Sequence, residues 1–303
     1  MKALPWLVAA VVAALVLATF GGPYALRLGM TLAMDVTLAT SWNLIGGMAG
    51  YPSFATAAFF GMGAYAGALA QGMGAPLPLA WAAGGAASGA VAVLVGWIVL
   101  PLRGHYFAIA SLAVVIVLRQ LATNWTGLTG GGMGLNLPVM TSSPETQARI
   151  FFAGQAVVAL VAVAGAVLVA SGRLGFALRC IRQNETAAGM LGLDARAAKV
   201  AAFALSAAMI GPAGAIYASS VSYIEPGDVF DLVLTVEPII MAMLGGVGTV
   251  AGPVLGAGLF LLLEQTVWAN FLSVHAAVLG AVVVVLAIFL PRGVLGGLRR
   301  MRA

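Results

Sequence analysis

Charged residues are the scarcest feature of this 303-residue chain. Lys, Arg, Asp and Glu make up 8% of it, hydrophobic residues make up 62%, and the mean hydropathy is +1.07. A soluble domain carries about 25% charged residues, so this chain cannot cover a water-exposed surface with its charges. Most of its exterior must therefore face lipid, which predicts one polytopic membrane domain over residues 1–303.

Cysteine, histidine and lysine are also nearly absent. Cys180 is the only cysteine, and His105 and His275 are the only histidines. These numbers exclude an intrachain disulfide and a thiolate metal cluster, and metal ligands are too sparse for a zinc site. The chain has no G-x-S-x-G, H-E-x-x-H or clustered carboxylates, and the lysines Lys2 and Lys199 do not follow glycine as a Walker A lysine would. We therefore expect no catalytic site, metal or bound cofactor, and any ATP and Mg²⁺ would bind partner chains.

Apolar runs of about 20 residues, separated by Gly, Pro and charge, predict membrane-spanning helices. We expect ten spans in an all-α bundle, with nine and eleven as alternatives: 5–22, 28–47, 55–72, 78–100, 104–123, 149–171, 200–222, 233–247, 250–272 and 275–290. The eighth is short enough to be broken or re-entrant. The first resembles a signal peptide, but apolar spans continue to the end of the chain, which favours a retained helix.

Basic residues predict the orientation. With both termini inside, eleven Lys and Arg residues lie in inside positions, and only Arg27 and Arg149 lie outside. The positive-inside rule therefore predicts N-in, C-in topology. It also explains the net charge of +5, because the basic residues are scattered in short loops and form no nucleic-acid footprint. We expect no nucleic-acid partner.

Two long polar segments separate the spans. The segment at about 124–148 is the largest predicted extracytoplasmic loop. The segment at 173–199 is the largest predicted cytoplasmic one, and it holds seven of the 23 charged residues (14 basic plus 9 acidic). Within it, residues 176–193 contain good helix formers and no proline, which predicts a single helix.

One face of that predicted helix is almost bare. Glu185, Ala188, Gly189 and Gly192 recur at the i, i+3/i+4, i+7 spacing of neighbours on a helix surface. A bare face allows another protein to approach closely. An amphipathic helix lying on anionic lipid headgroups explains the basic residues equally well, so the residues alone leave both alternatives open.

Ionisable residues inside the predicted spans are few: Asp35, Arg119, Glu237 and Glu264. Such groups are costly in lipid and usually face a bundle interior or water. Glu237 precedes Pro238, which frees a backbone carbonyl and can break a helix. A role in transport and a carboxylate satisfied by a neighbouring helix end are both compatible with this position.

Glycine is abundant, with 40 residues. Pairs four residues apart, such as Gly63 with Gly67 and Gly252 with Gly256, predict close helix packing in lipid. The Gly46-Gly47 and Gly245-Gly246 pairs lie at predicted cytoplasmic span ends, where a turn or helix break is equally compatible. Two glycine-rich segments, "IGGMAG" (45–50) and "LGGVGTVAG" (244–252), also hint at an internal repeat.

The sequence "NETAAGMLGLD" (184–194) resembles the EAA loop of ABC importer permeases, which docks into the ATPase. Ala187-Ala188 and Gly192 keep the A-A-x-x-x-G spacing, whereas Glu185 lies one position early and Thr186 stands where the strict pattern has Glu. This departure points to a particular branch. The resemblance assigns an ATPase-coupling helix to Arg179, Arg182, Glu185, Ala187, Ala188 and Gly192.

Four other segments resemble the branched-chain amino-acid permease (LivH/LivM) family in the expected order: "WNLIGGMAGYPSFATAAFFGMGAY" (42–65), "LRGHYFAIASLA" (102–113), "NWTGLTGGGMGL" (124–135) and "VEPIIMAMLGGVGTVAGPVLGA" (236–257). The second and third favour the LivM-type half. The first and fourth contain the residues that we assign to a translocation path or hinge: Asn43, Ser53, Glu237, Gly245, Gly246 and Gly248.

The resemblance implies a permease subunit of a bacterial inner-membrane ABC importer for branched-chain or other small amino acids. Its partners would be a second LivH-type permease, two ATPase subunits, an extracytoplasmic solute-binding protein and membrane lipid. Ala55, Thr56 and Tyr51-Pro52 depart from the family pattern, so urea or short amides are alternative solutes. An ion-coupled secondary transporter is the alternative outside this family.

Overall fold

The computed structural model describes residues 21–270 and residue 280, and within them the chain is mostly α-helical. Ten helices of six or more residues occur in this part: α1 Pro23–Asn43, α2 Thr56–Gly72, α3 Leu77–Val99, α4 His105–Asn124, α6 Pro144–Ser171, α7 Arg173–Gln183, α8 Glu185–Met190, α9 Ala195–Val221, α11 Val233–Gly245 and α12 Ala251–Asn270. The remaining elements are short: α5 Thr126–Thr129, α10 Pro226–Val229, a π-helical turn Leu44–Met48, a 3-10 turn Gly131–Met133, β1 Leu135–Asn136 and β2 Tyr223–Ile224.

Each of the second to ninth predicted spans overlaps one helix of at least 13 residues. The first and tenth, 5–22 and 275–290, lie outside the described residues. Four helices, α3, α4, α6 and α9, are long and apolar enough to cross a membrane, as a multi-pass membrane protein requires. Helix α11 has only 13 residues, about 20 Å of helix, so the eighth span is too short to cross the apolar core alone.

Helix α9 lies at the centre of the bundle and packs on α2, α3, α6 and α1. Small residues allow this close approach. A Cβ added to Gly63 would meet the backbone of Gly211, and one added to Gly67 would meet the side chain of Ala215. The predicted small-residue packing is confirmed at these positions, because backbones that approach this closely leave no room for larger side chains.

The loops gather at two opposite ends of the bundle. One end joins the turn after α1, the α3–α4 and α11–α12 connections and the α7–α8 segment, and we call it the coupling end. At the other end, β1 pairs with β2 in antiparallel register, with Leu135 opposite Ile224. The purely helical prediction missed this pairing, which satisfies backbone groups where the 124–148 segment meets the end of α9.

Candidate functional site

The predicted helix over residues 176–193 is wrong: α7 and α8 are separate helices. Asn184 between them is extended, with φ −161° and ψ 109°, and its side-chain oxygen accepts a hydrogen bond from the backbone N–H of Ala187 at 3.0 Å. This is the N-cap geometry that asparagine favours. Gly192, at φ +78°, ends the α8 turn in the left-handed region. The segment 173–199 is therefore a bent arm.

The structure divides the predicted bare face. Ala188 is 1% exposed and the Glu185 side chain is 18% exposed, because both face the bundle, whereas Gly189 and Gly192 are exposed. The tip of α8 is apolar: Met190 is 80% exposed and Leu191 is 74% exposed. Because the helix breaks at Asn184, Glu185 and Ala188 face the bundle, and the tip of α8 is exposed.

Glu185 and Lys199 form a polar cluster beneath α8. The Lys199 side chain is 2% exposed, and its Nζ contacts Glu185 Oε1 at 2.8 Å and the Leu100 carbonyl oxygen at 3.0 Å. Nζ also donates to the Tyr51 hydroxyl at 3.1 Å, and that hydroxyl in turn donates to Glu185 Oε2. Arg103 Nε lies 3.4 Å from the same oxygen. The buried ammonium is thus matched by a carboxylate and two further oxygens, as a buried charge requires.

This environment keeps Glu185 ionised. Burial raises the pKa of its carboxyl, but the hydrogen bonds from Lys199 and Tyr51 and the positive charges of Lys199 and Arg103 outweigh burial, so the pKa is lowered overall. Burial and the neighbouring Glu185 carboxylate raise the pKa of the Tyr51 hydroxyl. Tyr51 is therefore a neutral hydrogen-bond donor to an anion, and the cluster holds α8 against α9 and the turn after α1.

Asn43 joins two glycine-rich turns. It is fully buried at the end of α1, its Nδ2 donates to the Thr249 carbonyl at 2.8 Å, and its Oδ1 accepts from the Gly248 N–H at 2.8 Å. Gly246 (φ +128°) and Gly248 (φ +82°) adopt the backbone conformation that favours glycine. The turns after α1 and α11 are the two halves of the suspected repeat, and the structure places them in contact.

Arg182 connects the arm to these turns. Its Nη1 donates to the Gly47 carbonyl at 2.6 Å. A Cβ on Gly248 would lie 2.5 Å from the same nitrogen, and one on Gly50 would lie 2.9 Å from Arg182 Cγ. Both glycines therefore make room for this side chain. The structure thus brings Arg182, predicted as part of the coupling helix, together with Asn43 and Gly248, predicted as part of the path or hinge.

The other predicted site residues lie outside the polar cluster of Glu185 and Lys199. Arg179 Nη1 donates to the Ala170 carbonyl at the end of α6, 2.8 Å away. Ser53 is buried in the loop before α2, where its Oγ accepts from the Ala55 N–H at 3.2 Å. Gly245 packs directly on the backbone of α12. Glu237 lies eight residues before it in α11, about 12 Å away along the helix, and so is not part of the coupling-end cluster.

Sequence reasoning missed Tyr51, Arg103 and Lys199 as members of the site. Two signals were available. Lys199 is one of only two lysines, and an apolar run follows it in the chain. Tyr51 was noted as a departure from the family pattern. Their partnership was not readable, because 148 positions separate the two residues in the chain.

Comparisons with known proteins place the chain among related sequences. The family model described as the permease component of the branched-chain amino acid transport system matches residues 24–287. The LivM permease of Escherichia coli K12 is 28% identical over 291 aligned positions, covering 86% of this chain and 67% of the relative.

A LivH permease of Salmonella typhimurium LT2 is 24% identical, covering 88% of this chain and 93% of the relative. Both relatives are described as high-affinity branched-chain amino acid transport permeases. No solved structure matches the chain significantly. Since the family model spans most of the sequence, the chain belongs to the branched-chain amino acid transport system permease family.

Proposed function

We propose that this chain is the LivM-type permease subunit of an ABC importer and forms half of a path for branched-chain or other small amino acids. A second, LivH-type permease would form the other half. Two ATPase subunits would bind ATP and Mg²⁺ at the cytoplasmic side, and a solute-binding protein would deliver solute from outside. Ten spans with both termini in the cytoplasm would place the chain in the bacterial inner membrane.

The coupling arm is the observation that carries this proposal. Its helices α7 and α8 lie between the membrane-capable helices α6 and α9. The arm is fixed at its base by charged contacts, and its apolar tip is left uncovered. Rigid-body movement between two packings needs a part that a partner can push and contacts that carry the push to the helices. The base contacts of Arg182 and Glu185 supply the second requirement.

The tip of the arm is the surface that we assign to the ATPase. Met190 and Leu191 are exposed apolar side chains on a short helix whose other side is anchored. Exposed Met and Leu side chains supply the apolar contact area that protein interfaces bury at their centre. We therefore assign docking to the Met190–Gly192 tip. Of the Glu185, Ala188 and Gly192 face expected from the sequence, Gly192 belongs to this tip, whereas Glu185 and Ala188 face the bundle.

The structure also bears on the solute. Tyr51, one of the departures from the family pattern, contacts Glu185 and Lys199 at the coupling end. Ala55 and Thr56 are buried at the start of α2. Because these three positions take part in the polar cluster and in packing, we propose branched-chain amino acids before urea or amides as the solute.

The test uses proteoliposomes that contain the full complex, with ATP and Mg²⁺ inside and the solute-binding protein and radiolabelled leucine outside. The expected result is leucine uptake that requires internal ATP and persists without an ion gradient. Parallel assays with urea and acetamide distinguish the alternative solutes. Uptake of any of these that follows an ion gradient and ignores ATP would overturn the importer assignment.

One observation favours the second candidate, an ion-coupled transporter. Asp35 lies in α1 and is 4% exposed. Helices α11 and α12 both pack against α1. Glu237 lies in α11, and Glu264 lies in α12. Intramembrane carboxylates are frequent in ion pathways. A secondary transporter does not need the anchored arm, however, so the ATP-dependence of uptake separates the two candidates.

A further inference from the structure

Arg182 occupies the meeting point of two helix ends. Helix α1 and its π turn end at Met48, and α11 ends at Gly245. The last carbonyls of a helix have no partner within it and carry partial negative charge. Arg182 donates to one of them, the Gly47 oxygen, and lies against Gly248 just beyond the other helix end.

No carboxylate forms an ion pair with Arg182 within residues 21–270. The acceptor that its guanidinium contacts in the described part of the chain is the Gly47 carbonyl at the end of the π turn. This distinguishes it from Arg103, which lies 3.4 Å from a Glu185 oxygen, and from Arg179, which donates to the Ala170 carbonyl at the end of α6. Arg182 alone among the arm's arginines reaches across to the turns that Asn43 joins.

Side chains from two different elements contact the two turns. Asn43 ties Gly248 and Thr249 to α1 by two hydrogen bonds, but Asn43 belongs to α1 and cannot respond to the arm. Arg182 belongs to α7, so a shift of the arm moves its guanidinium relative to Gly47. Moving the charge away leaves the Gly47 carbonyl without that donor and opens the space over Gly248.

We propose that Arg182 is a positioning residue that fastens the Leu44–Gly50 and Gly246–Thr249 turns at the coupling end, and that movement of the arm releases them. The turns then form the gate that closes the cytoplasmic end while Arg182 is seated. This inference rests on the proposed function, since the ATPase is what would move the arm.

The experiment measures how a single thiol in the gate responds to nucleotide. Cys180→Ser removes the only native cysteine, and Val247→Cys introduces a thiol in the half-buried α11–α12 turn. The full complex with its ATPase subunits is purified and treated with a maleimide, with and without ATP and Mg²⁺. With Arg182 present, we expect the labelling rate to change at least about fivefold with nucleotide.

In the Arg182→Gln variant, we expect the labelling rate to be high and to change less than twofold with nucleotide. The ATPase subunits should remain bound to this variant, because the Met190–Gly192 tip is untouched. Arg182→Lys should restore part of the nucleotide response, since it keeps the charge but loses the fork-shaped donor group. Arg173→Gln, at an exposed arginine in the first turn of α7, is the matched control and should behave as the parent does.

Any of four results would overturn the proposal. They are no nucleotide response in the parent although ATPase is bound, an unchanged response in Arg182→Gln, an equal loss in Arg173→Gln, and failure of Arg182→Gln alone to assemble, which would make Arg182 a structural residue. Absence of bound ATPase in the parent would instead refute the importer assignment. The two failures are thus distinguishable in one preparation.

Discussion

Replacing Glu185 by Gln tests the buried ion pair at the base of the arm. The variant keeps the size of the side chain but leaves the Lys199 ammonium, 2% exposed, without its carboxylate. The Leu100 carbonyl and the Tyr51 hydroxyl remain as acceptors. An ammonium buried without a counter-charge is costly. The packing of α8 against α9 and the turn after α1 should therefore be much less stable in this variant.

The magnitude follows from the exposure of the pair. Breaking a buried ion pair by removing one partner costs about 3–5 kcal/mol. Glu185 retains 18% exposure, which places the effect at the lower end, about 3 kcal/mol. Since 1.4 kcal/mol corresponds to roughly tenfold in an equilibrium constant, opening of α8 should become on the order of 100-fold more favourable.

Hydrogen–deuterium exchange of the backbone amides in residues 185–193 measures this opening in the purified protein. Glu145→Gln is the matched control, because it breaks the exposed Glu145–Arg149 pair, whose side chains are 57% and 44% exposed. Such a pair contributes about 0.5 kcal/mol at most. Exchange in residues 185–193 that is no faster in Glu185→Gln than in Glu145→Gln would refute the reasoning.

Three further predictions concern the same contacts and the glycine packing. Adding Lys199→Met to Glu185→Gln should restore most of the lost exchange protection, because no uncompensated charge remains; unchanged fast exchange would argue against the pair. The pKa of Glu185 is lowered on folding, because its hydrogen bonds and the nearby cations outweigh burial. The stabilisation from Glu185 is therefore complete above its usual pKa of 4.5 and is lost as the pH falls below that value. Exchange measured across this range should show that the parent loses protection more steeply with acid than Glu185→Gln does. Gly245→Ala would place a methyl group against the α12 backbone and should lower the stability in a detergent melt by about 1–3 kcal/mol, whereas Gly258→Ala, which has no atom within 4 Å of the added carbon, should be neutral.

The membrane helices were predictable because they depend on local composition. Apolar runs are bounded by Gly, Pro and charge wherever the chain leaves the apolar layer, and the helices at Leu77–Val99 and His105–Asn124 begin and end within one residue of the predicted spans. The break at Asn184 was missed because the surrounding residues favour a helix. Asn184 followed by an acidic residue is, however, a recognisable helix start.

The composition of the site could not be predicted in the same way. Its bonds join residues far apart in the chain, such as Asn43 with Gly248 and Arg182 with Gly47. A single sequence shows which residues are chemically unusual but does not show which of them meet. The glycine segments were singled out for their pattern, and only the fold revealed that an arginine from the arm lies against them.

Retention of the ATPase subunit by the arm is the most direct measurement of the central claim. The complex is purified through a tag on this chain, and bound ATPase is quantified for the parent, for Met190→Asp/Leu191→Asp, and for Met133→Asp, which alters an 86% exposed methionine at the opposite end of the bundle. We expect the parent and Met133→Asp to retain the ATPase. We expect the double variant to lose it, although that variant is inserted in the membrane. Equal retention by all three proteins, or no ATPase with the parent, would contradict the account.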